Sequence, residues 1–338
     1  MSYVRLLVAR AVECGRSVEV LAPAGTGESP EYSLHLGAHR ADVRLREMDA
    51  FTAPTLQRIF EEQPQATFIF PDGDDVVRLL AIQKLRPAGT SVSVLSMRPR
   101  GQSQWYAKRC VETAAKALIR WIAGLHRGVK VFSLVPSTAP SLTAREVRDP
   151  IEFSPGESVP AWRQNDPSRL WFAIVGAITP RKNIDLVARA LAQLDAGVGL
   201  VIAGFSEVDE SVIAEWTAPM RSVGQPVVRV ARRLSDEELD SVIASADVAV
   251  IAHSNDGPSG IMGKADVAGR RVLAAGAPTL RRELRVNPGL GVWTQLTVPA
   301  LARGAERVRR MPTRRDSGTA KESRDAFART LRREDEGK

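Results

Sequence analysis

Apolar positions along this chain recur in two alternating rhythms, one spaced for helices and one for strands, and the alternation predicts a layered α/β protein. Val4, Leu7 and Ala11 fall on one face of a helix over residues 3–14, and a short strand follows at 17–21. A helix is expected at 53–60, a strand at 67–70 that closes on Pro71-Asp72-Gly73, and a second helix at 76–85. A strand at 91–96, a long helix at 105–125 and a strand at 130–135 continue the order. Strands alternating with helices in this way build doubly wound parallel sheets.

Pro150, Pro155, Pro160 and Pro167 then interrupt the rhythm, which marks residues 151–169 as a linker between domains. After it the pattern starts again. The apolar run from Trp171 to Val175 ends at Gly176, and Ile184, Val187, Leu191 and Leu194 return at helical spacing. Ser235 with Glu238 three residues on forms a capping box at the start of a further helix. Near the end, a helix is expected at 301–311, a polar loop at 312–321, and an amphipathic helix at 323–333 carrying Phe327 and Leu331 four apart. The expected organisation is a first domain at 1–150, the linker at 151–169, a second domain at 170–311 and a tail at 312–338.

Composition narrows the setting. Of the 338 residues, 44% are hydrophobic and 25% charged, as in a globular domain protein long enough for two cores. Cys14 and Cys110 lie too far apart in sequence to suggest a disulfide framework or a metal site, so the expectation is a reducing cytoplasm and no metal. No apolar run approaches the length of a membrane span. The net charge of +8 could meet a polyanion, yet with 5% aromatic residues and no nucleic-acid signature, nucleic acid is not expected as a partner. Weak peripheral contact with anionic lipid at the inner membrane face stays open.

Candidate chemistry gathers in the second half. Arg181 and Lys182 follow the strand that ends at Gly176 and precede a helix, a place where open α/β sheets bind ligands and where the helix dipole already favours an anion. The segment His253 to Ile261 supplies a second such place. There the backbone amides of Ser259, Gly260 and Ile261 would point at a phosphate, Gly257 and Gly260 permit close approach, and His253 could hydrogen-bond a phosphate or hydroxyl.

Other features weigh less. The loop at 21–30 lacks the Gly-Lys-Ser/Thr ending of a phosphate loop, and Arg232 and Arg233 fit a solvent role better than a ligand role. Asp72, Asp74, Asp75, Arg98 and Arg100 could line a cleft or serve as ordinary helix-start and turn charges. His126 is expected to cap the long helix that precedes it. No Gly-x-Gly-x-x-Gly follows a strand, which disfavours a nicotinamide enzyme.

Residues 168–291 resemble the nucleotide-binding domain of retaining glycosyltransferases of the GT-B fold, the large group 1 family. The matching pieces are Gly176 with Arg181-Lys182-Asn183, the strand ending at Gly204, the helix start Leu234-Ser-Asp-Glu-Glu-Leu239, Ser245-Ala-Asp247, Ser259-Gly260, and Ala268 to Leu273. The resemblance implies two Rossmann-like doubly wound domains facing across a cleft, the first binding an acceptor; the family's first strand is lacking there, since this sequence starts directly in what reads as the first helix. It further implies a terminal helix that crosses back onto the first domain.

The implied activity is a hexosyltransferase-type transfer from a nucleotide-diphosphate sugar, with retention, to an unknown acceptor such as a lipid-linked or other glycan. In that reading Lys182 and Asp256 form the catalytic set, Asp256 facing the sugar. Gly176, Arg181, His253, Gly257, Ser259, Gly260 and Ile261 complete the donor site, with no metal or other cofactor. Two positions depart from the family pattern: Lys264 stands where a glutamate would face the ribose, and Ala177 where an arginine would face phosphate. They motivate the alternative, a catalytically silent GT-B-like protein that binds a nucleotide or a partner.

Overall fold

The computed structural model describes residues 2–83, 85–87, 89–97, 106–137, 139, 143–195, 197–254, 259–312 and 319–332. The chain divides into two compact units, one comprising Met1–Val135, Leu142–Pro150 and Arg324–Lys338, the other Pro136–Ser141 and Ile151–Ser323.

The first unit runs α1 (Ser2–Glu13), β1 (Val18–Pro23), α2 (Pro30–Leu36), β2 (Val43–Met48), α3 (Ala53–Glu62), β3 (Thr67–Phe70), α4 (Asp74–Ile82), β4 (Ser91–Ser96), α5 (Tyr106–Ala123), β5 (Val129–Val135) and β6 (Glu146–Arg148). Its strands form two sheets, β1-β2 and β3-β4-β5-β6, with every pair parallel. Helix α1 packs against both. Val4, Val8 and Val12 meet Val18, Val20 and Leu45 of the smaller sheet, while Tyr3 and Leu7 meet Leu95, Phe132 and Leu134 of the larger. From elsewhere in the same unit, Leu56, Ile59 and Phe60 of α3 share a core with Leu21, Met48, Phe68 and Phe70. Strands β1 and β3 each keep one edge without a strand partner among the described residues.

The second unit runs α6 (Ala161–Asn165), β7 (Leu170–Val175), α7 (Ile184–Leu191), β8 (Val198–Ala203), α8 (Glu210–Ser222), β9 (Val227–Val230), α9 (Asp236–Ser245), β10 (Val248–His253), α10 (Gly260–Val267), β11 (Arg271–Gly276), α11 (Pro278–Val286), β12 (Gly291–Thr294) and α12 (Val298–Arg309). Six parallel strands lie in the order β12-β11-β10-β7-β8-β9. The chain winds outward one way from β7 and the other way from β10, so the direction reverses between those two strands. Because side chains alternate across a strand, Phe172 and Ile174 face the layer of α7, α8 and α12, and Trp171, Ala173 and Val175 face that of α9, α10 and α11.

Segment 151–169 packs on this second unit. The Trp162 ring meets Trp171 edge-on at 5.1 Å, and the Arg163 guanidinium pairs with Asp247 at 2.6 Å while donating to the Ser245 and Arg169 carbonyls. A last helix, α13 (Thr319–Arg332), places Phe327 and Leu331 in the first unit's core beside Leu7, Leu95 and Phe132. Helices α12 and α13 begin earlier than the sequence pattern indicates, at Val298 and Thr319. Helix α12 starts at Val298 because Pro299 falls in its first turn, where a missing N–H costs nothing.

Candidate functional site

Strand β7 ends at Val175, and the chain turns at once. Gly176 has φ 87°, and Gly204, which follows β8, has φ 141°. A Cβ on Gly204 would sit 2.2 Å from the Gly176 carbonyl oxygen, so the two strand ends approach as closely as they do only because Gly204 carries no side chain. Beyond Gly176 a turn of 3-10 helix over Pro180–Lys182 leads to Asn183, a left-handed residue (φ 49°) at the start of α7.

Asn183 fastens this turn across the switch point. Its amide nitrogen donates to the Arg181 carbonyl at 2.7 Å and to the Ala252 carbonyl of β10 at 2.7 Å. The turn after β7 is thereby held against the carboxyl end of β10, one residue before His253. Sequence reading grouped Asn183 with its two basic neighbours and gave it no task; the left-handed backbone that an asparagine tolerates was the available signal.

Lys182 doubles back over Gly176 and donates its ammonium to the Val175 carbonyl. Loss of water around the ammonium, with Arg181 adding repulsion, pulls its pKa down from 10.5 to about 8. Among the described residues no carboxylate pairs with it. Arg181 is exposed, its Nε 3.3 Å from the Thr179 hydroxyl. Two cations thus stand together at the positive end of a helix, an arrangement that an anion would relieve. Ala177 is exposed and carries no charge to share that work.

On the opposite face of the sheet, α10 starts from the same edge. Ser259 is its N-cap, with the hydroxyl accepting from the Met262 amide at 3.4 Å. Its carbonyl accepts from the amides of Met262 and Gly263. The amides of Gly260 and Ile261 occupy the first two helical positions, where no intrahelical acceptor exists. Met262 and Ala265 anchor the helix in the core beside Val175 and Ile251. Asp256 and Gly257 lie outside the described residues, as do Arg98 and Arg100.

Lys264 does not point at this edge. Its ammonium lies 2.5 Å from the Asp240 carboxylate of α9 and 2.7 Å from the Glu152 carbonyl, and the Ser154 amide donates to the other Asp240 oxygen at 2.8 Å. Burial pushes the Asp240 carboxyl upward, and Lys264 and Ser154 oppose that push. The lysine therefore ties α10, α9 and residues 152–154 together.

The remaining candidates have local tasks. Arg232 pairs through both terminal nitrogens with Glu238, at 2.8 and 2.6 Å, while Glu238 completes the capping box on Ser235. That arginine and the Ser235 amide hold the Glu238 carboxyl down at about 2. In the loop at 21–30 the amides of Gly25 and Gly27 are taken by the Glu47 carboxylate at 3.1 and 2.7 Å, in the manner of a phosphate mimic from within the chain. Asp74 and Asp75 open α4, with Asp74 accepting from Ser96 at 2.7 Å. His126 lies 3.0 Å from the Leu80 carbonyl of α4 instead of capping its own helix. Among the described residues, no group of three His, Cys, Asp or Glu side chains gathers to hold a metal ion, and no helix is long and apolar enough to cross a membrane.

No family model and no curated protein matches the chain. Solved structures do. Sucrose-phosphate synthase from Thermosynechococcus elongatus superposes with a TM-score of 0.65 over 98% of this chain and 91% of that one, at 14% identity. Alr3699/HepE of Anabaena, in complex with UDP and glucose, gives 0.61 over 98% and 94% at 13% identity. WaaG, a glycosyltransferase involved in lipopolysaccharide biosynthesis, gives 0.56 over 99% and 91%, also at 13%.

The chain has the GT-B fold. That fold is the one carried by the group 1 glycosyltransferases that its second half resembles, and both of its Rossmann-like units are covered by the superpositions. In the unit built on β7 to β12, the carboxyl edge between β7 and β10 is the topological switch point, the place where open α/β sheets as a class take ligands.

Proposed function

We propose that this chain is a glycosyltransferase that moves a hexosyl group from a nucleoside-diphosphate sugar to an acceptor, with retention at the anomeric carbon. The observation that carries this reading is Lys182, a desolvated ammonium beside Arg181 at the carboxyl edge of the β7/β10 switch. Arg181 and Lys182 take phosphoryl oxygens from the α7 side, and the amides of Ser259, Gly260 and Ile261 take them from the α10 side. Asp256 accepts a hydrogen bond from a sugar hydroxyl, and His253 bonds a phosphate or hydroxyl. The solved complexes of Alr3699/HepE with UDP and glucose, and with UDP-glucose, support a nucleotide sugar as the ligand class for this fold.

Transfer breaks the bond between the anomeric carbon and the diphosphate oxygen and forms one from the acceptor oxygen on the same face. The acceptor proton passes to the departing diphosphate. Negative charge grows on that leaving group as the bond opens, so cations and amides fixed in advance stabilise the transition state more than the bound donor. No metal takes part in this scheme.

A second reading, a catalytically silent GT-B-like protein that binds a nucleotide or a partner, is favoured by Lys264: a lysine has no acceptor for a ribose hydroxyl, and this one is engaged with Asp240. Assays of donor hydrolysis and transfer separate the two. Turnover that falls about a hundredfold or more in Lys182→Ala supports the transferase. Tight nucleotide binding with no turnover against water or any acceptor selects the silent binder.

A further inference from the structure

The amino-terminal edge of the second unit's sheet carries a groove that the glycosyltransferase reading does not use. Helix α7 runs from the Lys182 turn back to this edge, and α12 packs beside it and ends there. Between them lies an open groove of about 510 Å³, with Leu194 and Ala302 as its partly buried apolar floor. The charges around it are not balanced. Its two carboxylates are already engaged: Asp195 takes Arg309 at 2.8 Å and the Gly197 amide at 3.2 Å, and Glu306 takes Arg309 at 2.8 Å and also Arg310. Arg309 and the Gly197 amide hold the Asp195 carboxyl below its ordinary range. The two arginines that line the groove itself, Arg303 and Arg307, are exposed and four apart, hence neighbours on one helix face. Among the described residues no carboxylate pairs with either.

An edge where two helices end ordinarily repels anions, because the last carbonyls of each helix point outward at the negative end of its dipole. Here both sets of carbonyls are taken from inside the protein. The buried Gln225 amide donates to the carbonyls of Leu191, Leu194 and Asp195 at 3.1, 3.1 and 3.0 Å. Buried Arg271 does the same for Arg309 and Met311 at the end of α12. With those carbonyls satisfied, the two unpaired guanidiniums set the sign of the groove.

We propose that this groove is a second ligand site, one that takes a small phosphorylated molecule. A guanidinium presents its N–H donors in a fork that matches two phosphate oxygens at once, and two forks one helical turn apart can hold one phosphate between them. A phosphate monoester carries roughly two negative charges at neutral pH, which matches the two free cations. Leu194 and Ala302 offer apolar surface to the carbon skeleton of the ligand, and the Gln193 amide offers a donor and an acceptor to its hydroxyls. The eight residues of α7, about 12 Å of helix, separate this site from the turn that carries Lys182. The inference is independent of the glycosyltransferase reading.

The experiment is calorimetric titration of the full chain at low salt with ribose 5-phosphate, glycerol 3-phosphate and AMP, with inorganic phosphate and ribose as the two halves of the ligand. At least one ester is expected to bind with a Kd of about 1 mM or tighter, more tightly than either half, and to weaken as salt is raised. Affinity should fall at least about tenfold in Arg303→Ala/Arg307→Ala and stay unchanged in Lys182→Met. Because both arginines are exposed, their variant should keep the circular dichroism and melting temperature of the parent, which separates a lost site from lost folding. Failure of all three esters to bind, or binding that the double variant retains, overturns the proposal. So does binding lost in Lys182→Met alone, which would place the ligand at the β7/β10 edge, and so does inorganic phosphate binding as tightly as the esters, which would leave the apolar floor without a role.

Discussion

Lys182 holds a charge that burial and the neighbouring Arg181 disfavour. Its pKa of about 8 lies below the ordinary 10.5, so between those values the unfolded chain binds a proton that the folded chain has released, and stability rises with pH across that window. Below pH 8 the charged ammonium costs the ligand-free protein stability. Lys182→Met should therefore raise the melting temperature at pH 7, by roughly 2–4 °C if about 1 kcal/mol is recovered, as differential scanning calorimetry would show. Donor affinity in the unaltered protein should fall as pH passes above 8 and the ammonium discharges, and the variant should lack that step. Lys264 and Asp240 behave in the opposite sense. Lys264→Ala leaves a buried carboxylate without its cation, a loss of about 3–5 kcal/mol by urea denaturation near neutral pH. The orphaned Asp240 would then take up a proton more readily, so the loss should shrink as the pH is lowered toward 5. Arg271, buried in β11, donates to the carbonyls of Arg309 and Met311 at 2.7 and 3.1 Å and so closes the end of α12. Arg271→Met should cost about 1–3 kcal/mol in the same assay, the price of several unsatisfied carbonyls.

At the scale of elements, the strands and helices with an unmixed apolar period were legible in the sequence, and those with charges threaded through them were not. Strand β4 matches the expected 91–96 to the residue, since Val92, Val94 and Leu95 are uninterrupted by charge. Strand β2 went unseen because Arg44, Arg46 and Glu47 alternate with Val43, Leu45 and Met48 and disguise an edge-side strand as a polar loop. The capping box at α9 was readable because its two partners are local; the link from Asn183 to Ala252 was not, because it spans two strands distant in sequence. Helix α5 was expected from its period, but periodicity alone cannot say which face meets the protein. The turn after β7 depends on Gly204 as much as on its own residues. Gly204→Ala would force a Cβ against the Gly176 carbonyl at a positive φ, and should lower stability by about 1–3 kcal/mol and weaken nucleotide binding with it, measurable by denaturation and calorimetric titration.

For the whole molecule, parallel sheets in both units follow from one alternating pattern repeated twice, whereas the GT-B architecture was anticipated from the family resemblance of residues 168–291. The turn after β7, where the candidate site was expected, lies at the carboxyl edge of the topological switch between β7 and β10. Which charges serve it did not follow. Lys182 and Lys264 look alike in sequence, yet one sits over the β7 edge and the other is held in an ion pair between α9 and α10. The most direct measurement is the melting temperature of the unaltered protein and of Lys182→Met against UDP-, GDP- and ADP-linked sugars, because a ligand bound only by the folded state raises it by mass action. The account expects at least one donor to stabilise the unaltered protein in a concentration-dependent way and to leave Lys182→Met unmoved. Equal stabilisation of both proteins, or none of the unaltered protein by any donor, would contradict it.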